Sequence, residues 1–255
     1  MWTRKELKDR AKAVLKKIYW KAFLVSIVIA IAGGNNGWGG GGGSSSSNSG
    51  GHSTISNSQS FDLTVVLISI LVFLVVILII AALRIFLGYP LEVGGRKYFV
   101  QSAQYKDNKK CFRFGFDGPN YGGIIKTMLL KDVYLFLWTL LLIIPGIVKG
   151  YSYSMVPYIL ADNPNIGVKK AIALSNEMTM GHKFDMFVLD LSFIGWYLLG
   201  VIALVIGVLF VFPYENATKA ELYLVLRESA LESNLCSYED LLLTKPNPED
   251  NNYVW

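Results

Sequence analysis

The sequence predicts an all-α fold, a multipass transmembrane bundle of six helices in three hairpins with amphipathic helices on the cytoplasmic side. Three observations predict it. Of 255 residues, 53% are hydrophobic and 17% charged, where soluble domains carry about 25% charged residues. The apolar residues gather in long blocks. The Lys and Arg residues behind the net charge of +5 gather at the block edges, which suits a membrane surface better than nucleic acid.

Residues 1–21 open with Thr3-Arg4-Lys5-Glu6, a capping box that starts a helix. Leu7, Ala11, Val14, Leu15 and Ile18 then recur at helical spacing, with Lys5, Lys8, Lys12 and Lys16 on another face. This basic amphipathic helix suits either contact with anionic lipid headgroups or a solvated flank that orients the first span. The first span lies near 18–34, where an apolar run meets Gly33-Gly34. Ala30-Ile31-Ala32 has the form of a signal cleavage site. The charged region ahead of it is too long and too helical for a signal peptide, so the span is expected to remain uncleaved.

Residues 35–61 are rich in Gly, Ser and Asn and hold no Lys, Arg, Asp or Glu, so a disordered loop is expected. The second span, near 64–87, carries one charge, Arg84, close to its end. A helix of that length covers about 36 Å, enough to cross with some tilt. The following segment, 88–128, holds Arg96, Lys97, Lys106, Lys109, Lys110, Arg113 and Lys126. Basic segments on both sides of an uncharged loop place the N-terminus and 88–128 in the cytoplasm and the loop 35–61 outside.

Four further spans are expected near 129–144, 147–162, 184–203 and 207–227. Pro145-Gly146 turns the first of these hairpins, and Gly200 and Gly207 flank the turn of the second. A four-span alternative makes 184–212 one helix and leaves 147–183 outside. That loop would carry Lys149, Lys169, Lys170 and Lys183, against the charge rule. Six spans return the basic segment 163–183 to the cytoplasm. A faint repeat also favours six: Trp138-Thr139-Leu140-Leu141 with Trp196-Tyr197-Leu198-Leu199, and Pro157-Tyr158 with Pro213-Tyr214. Within 163–183, Ala171, Leu174, Ser175 and Met178 mark one face of an amphipathic helix. The tail, 229–255, is polar and acidic and shares the cytoplasm.

Six spans carry a polar set into the hydrocarbon: Lys149, Tyr151, Tyr153, Asp190, Glu215 and Lys219. Each ion costs about 2.5–3.5 kcal/mol at mid-depth unless paired. Counting along the helices puts Asp190 about 10 Å from Lys183 and Lys219 about 12 Å from Arg227, so the two can meet at one depth. Glu215 and Lys219 are also an i, i+4 pair. The competing reading makes 215–230 an interfacial helix with wet charges, and leaves the tyrosines as ordinary interfacial residues.

Other chemistry is thin. His52 and His182 have no ligand partner at metal-site spacing. The run Gly39 to Gly43 lacks the Lys-Ser/Thr of a phosphate loop, and no hydrolase or zinc-protease motif occurs. Asp185 and Asp190 point about 140° apart on a helix and make no acid/base pair. Cys111 and Cys236 are isolated and are expected as free, reduced thiols. No catalytic residue, cofactor or metal is therefore expected, and the protein is not expected to be an enzyme. Two functions stay open: an accessory or scaffold protein of the envelope, partnered by a membrane protein or a second copy, or a transporter or channel-like protein for a small solute or lipid using the polar set.

Several strings resemble a family of bacterial membrane proteins known as domain of unknown function 975. They are Tyr134-Leu135-Phe136-Leu137-Trp138, Ile144-Pro145-Gly146-Ile147-Val148-Lys149 and Tyr151-Ser152-Tyr153. Met155-Val156-Pro157-Tyr158-Ile159-Leu160-Ala161-Asp162-Asn163-Pro164 and Ala171-Ile172-Ala173-Leu174-Ser175 follow. Asp190-Leu191-Ser192-Phe193-Ile194-Gly195-Trp196, Pro213-Tyr214 and Ala217-Thr218-Lys219-Ala220-Glu221-Leu222-Tyr223 complete the set. The resemblance implies a multipass helical protein of a bacterial plasma membrane and brings no activity, cofactor or catalytic residue with it. The Gly-rich loop is a local elaboration on the family pattern.

Overall fold

The computed structural model describes residues 2–34, 63–202 and 207–245, and every regular element among them is helical. The expected loop at 35–61 and the end of the polar tail lie outside the described residues.

Thr3 starts α1, Arg4–Ile31, by accepting the Glu6 N–H on its hydroxyl at 3.3 Å. The basic segment and the first apolar block are thus one helix of about 42 Å, kinked at Ile18. Its main neighbour is α10, Gly207–Glu232. Leu7, Ala11, Val14 and Leu15, the apolar stripe of the sequence pattern, are buried in the core. That stripe is taken up by the bundle rather than left for a lipid surface. At the far end Gly34 N–H donates to Ile29 C=O (2.9 Å) and Gly33 N–H to Ala30 C=O (3.1 Å). Gly33 has φ +81°, the left-handed position that closes such a motif and that a residue without Cβ adopts freely.

The second apolar block forms α2, Leu63–Leu83, and runs without a break through a π turn at Arg84–Gly88 into α3, Tyr89–Ala103. The two halves have opposite surroundings. From Val66 to Leu83 every side chain of α2 is exposed. Most of α3 is buried between α1, α10, α7 (Val156–Asp162) and α4 (Cys111–Phe116).

The next hairpin is α5, Gly118–Leu141, and α6, Ile143–Ser152. Its turn falls at Leu142, where the backbone is extended (φ −157°, ψ 138°), and not at Pro145-Gly146. Pro145 sits instead in the first turn of α6, where its missing N–H has no helical partner to lose. Gly146 lets α6 close on α5, since a Cβ there would stand 2.8 Å from Thr139 Cα.

The expected helix at 147–162 is interrupted. Ser152 ends α6, a turn follows, and Val156 with Pro157 starts α7. The freed backbone is held by Ser175 of α8, Val168–Met178. Its hydroxyl donates to Ser152 C=O (2.7 Å) and accepts from Met155 N–H (3.2 Å), in a fully buried setting. Ser175→Ala strands two buried backbone groups and is expected to cost about 1–3 kcal/mol, read as a lower midpoint of thermal unfolding. The buried face of α8 is Ala171, Leu174, Ser175 and Met178, as the amphipathic pattern indicates.

A last hairpin pairs α9, Lys183–Ile202, with α10. Among the described residues, two stretches are long and apolar enough to cross a membrane, Val66–Ala103 and Lys183–Ile202. The other long helices fall short because charge interrupts their apolar runs: Lys16, Lys17 and Lys21 in α1, Lys126, Lys131 and Asp132 in α5, and Glu215, Lys219, Glu221 and Arg227 in α10. Large apolar side chains are nonetheless exposed well beyond the two. They occupy the α5–α6 turn from Leu140 to Ile144, the end of α9 from Leu198 to Ile202, and Trp20, Leu24 and Ile31 of α1.

Candidate functional site

The interruption between α6 and α7 opens on a cavity of ≈ 250 Å³ walled by α3, α5, α6, α9 and α10. Two buried polar groups flank it. In the first, Lys219 Nζ lies 2.6 Å from Glu215 Oε1 and 3.3 Å from Asp190 Oδ1. Tyr151 donates its hydroxyl to Asp190 Oδ2 at 3.1 Å, and Tyr197 donates to Glu215 Oε2. The α9–α10 hairpin supplies both acids and the lysine, and the last turn of α6 supplies Tyr151.

The second group centres on Arg96. Its Nη1 donates to Asn216 Oδ1 (2.6 Å) and to the Tyr158 hydroxyl (3.2 Å), and its Nη2 donates to Gly34 C=O. Glu92, one turn earlier on α3, has Oε1 3.8 Å from Arg96 Nη2. Asn216 passes the network on to the Ser26 hydroxyl at 3.1 Å. Among the described residues, Glu92 Oε2 and Arg96 Nε are buried with no hydrogen-bond partner. Glu92 is 2% exposed and Arg96 6%. Burying ions on this scale is costly unless they are paired, and breaking a pair strands the remaining charge.

The six residues singled out in the sequence therefore divide. Asp190, Glu215, Lys219 and Tyr151 form one hydrogen-bonded cluster, and Tyr153 lines the same cavity. Lys149 stands apart, with Nζ 5.2 Å from the centre of the Trp138 ring. Sequence reasoning missed Glu92, Arg96, Tyr158, Lys131 and Asn216. The local sequence argued against them, since Gly88 and Pro90 fall between the 64–87 block and Glu92, yet the helix runs on through both.

Outside the cavity, Cys111 and Cys236 are both free and buried. Cys111 donates its thiol to Gln101 Oε1 at 2.8 Å, and burial pushes the thiol up to about 11. Burial likewise raises Cys236. Neither is a reactive thiolate at neutral pH.

The class is thus an all-helical protein with a partly open cavity between its helices, lined by charged side chains. Residues 61–230 match a family described as protein of unknown function, DUF975, and the chain belongs to that family. No curated protein matches the chain, and no solved structure does.

Proposed function

We propose that the protein is a non-enzymatic, six-span protein of a bacterial plasma membrane with both termini in the cytoplasm, and that its cavity binds a small polar solute for transport. One observation carries the transport reading. Asp190, Lys219 and Tyr151 line a cavity beside a broken helix, with Glu215 paired to Lys219. Discontinuous helices with polar groups at the break are how many transporters build their sites. A scaffold has no use for buried ions gathered around a cavity, each of them costly in hydrocarbon.

The membrane reading draws support from the exposed apolar surface of α2, the α5–α6 turn and the end of α9. Soluble proteins rarely expose contiguous apolar patches above a few hundred Å². In this reading α5, α6 with α7, α9 and α10 supply four crossings, and α1 with the continuous α2–α3 helix packed against it supplies the other two. The scaffold or accessory reading keeps one observation of its own: α2 is exposed on all faces and offers a partner helix or a second copy a full surface. Lipid alone also satisfies it.

The topology is tested with Asn165→Cys, after Cys111→Ser and Cys236→Ser, using a membrane-impermeant thiol reagent on whole cells. Ser49→Cys, which lies outside the described residues, is the external control. Six crossings predict labelling at 49 and protection at 165. Labelling at 165 would return the chain to four crossings and carry Tyr151 and Tyr153 to the outer surface. In the parent chain the two native thiols, being protonated and buried, are expected to stay unlabelled at pH 7.

A further inference from the structure

We infer that the cavity takes a zwitterion, a small molecule or headgroup carrying one ammonium and one anionic oxygen group a few atoms apart. This rests on the reading of the cavity as a solute site and adds the class of solute.

The first ground is how charge is arranged around the walls. On the α9–α10 side one cation, Lys219, stands between two carboxylates, Asp190 and Glu215, for a formal charge of −1. On the α5 side the balance is reversed. Lys131 Nζ is 3.0 Å from Asp132 Oδ1, and Arg84 Nη2 is 3.8 Å from Asp132 Oδ2, so two cations share one carboxylate for a formal +1. Lys131 lines the cavity directly, as do Asp190 and Lys219. The two walls are distinct: α5 packs on α3, α6 and α8, while α9 packs on α10 and α6. Glu92 and Arg96 add one charge of each sign. With Glu215, Asp132 and Arg84, which join these ion pairs without lining the cavity themselves, the surroundings sum to zero but are dipolar. A lone anion or lone cation would meet a favourable wall and an unfavourable one, whereas a zwitterion satisfies both.

The second ground is independent of the charge sum. Of the four buried side-chain atoms without a partner among the described residues, two stand together on α3: Glu92 Oε2, an acceptor, and Arg96 Nε–H, a donor. Both belong to residues lining the cavity. Buried polar atoms are paired in the great majority of proteins, so this couple calls for a group that donates to one and accepts from the other. An ammonium and an anionic oxygen on one small molecule do this, with the ammonium toward Glu92 and Asp190 and the anion toward Arg96 and Lys131. The remaining walls, such as Leu135, Met186 and Leu222, are apolar and suit a short methylene linker.

The test uses the full chain in detergent with Ser154→Cys, a cavity-lining position, in the Cys111→Ser, Cys236→Ser background. Its reaction with methyl methanethiosulfonate is timed with and without glycine, β-alanine or 4-aminobutyrate. At ten times its dissociation constant the zwitterion that fits is expected to slow the reaction about tenfold. Acetate, ethylammonium, the two together, and acetamide are expected to leave the rate unchanged. Protection by any of these to the same degree overturns the zwitterion while leaving a solute cavity in place, and so does a reactive cysteine that no zwitterion protects. A cysteine that reacts only on unfolding removes the solute cavity itself. The same rates measured in nanodiscs separate two sources of the chemistry. Protection in phosphatidylethanolamine but not in phosphatidylglycerol, without added solute, assigns the site to a lipid headgroup. Protection by added amino acids in both assigns it to a free solute.

Discussion

Arg96→Met is expected to lower the unfolding free energy by about 3–5 kcal/mol, measured by thermal or denaturant unfolding in detergent. The size follows from what is left behind. Glu92 loses its partner cation while staying nearly inaccessible, and Asn216, Tyr158 and Gly34 each lose a donor. The methionine fills much of the volume, so lost packing contributes little. The double variant Glu92→Leu, Arg96→Met removes both charges and is expected to recover more than half of the loss, because an apolar pair often equals a buried ion pair. A single variant within about 1 kcal/mol of the parent would mean that solvent reaches Glu92, and the closed wall around Arg96 would have to be abandoned.

Lys219→Met and Asp190→Asn are expected to part company. The first leaves two carboxylates, Asp190 and Glu215, with no cation between them and is expected to destabilise by about 3–5 kcal/mol. The second removes one acid, keeps the Lys219–Glu215 pair at 2.6 Å, and leaves a neutral amide for Tyr151 to bond. It is expected to cost about 1 kcal/mol. Function reverses the order of interest: Asp190→Asn is expected to keep expression and folding and to abolish uptake of whichever zwitterion protects Ser154→Cys. Equal stability losses for the two variants would sink the triad as drawn. Undiminished uptake by Asp190→Asn would remove Asp190 from the transport site.

The contact between Asp190 and Lys219 was legible because it depends on very little. Two helices joined by a short turn have a fixed register, and rise per residue then sets which side chains lie level. The same arithmetic exposes why Lys149 fell outside the cluster. Residues two apart on a helix diverge by about 200°, so Tyr151 and Lys149 cannot both face Asp190, and Lys149 turns to Trp138 instead.

Glu92 and Arg96 fell in the segment read as cytoplasmic because the apolar block ends at Leu87, where Gly88 and Pro90 follow. Neither hydropathy nor charge counting registers that a helix continues beyond the apolar block into the core. The α5–α6 turn was misplaced for a related reason. Pro and Gly mark turns on average, yet both are equally at home in the first turn of a helix packed close to its neighbour. The interruption after Ser152 left no sequence mark beyond Pro157, because it is held by a serine on another helix.

The π turn at Arg84–Gly88 accommodates one residue more than an α-helical path of the same rise, with Tyr89 N–H reaching back to Arg84 C=O. It acts as a phase shifter between two stretches in different surroundings. α2, exposed all round, can exchange one apolar residue for another with little consequence. α3 must present Glu92 and Arg96 at one azimuth. Each residue added or lost between them turns that azimuth by about 100°, so sequence drift in the outer stretch is harmless, while a change of length in this single turn would swing the charged pair out of the cavity wall.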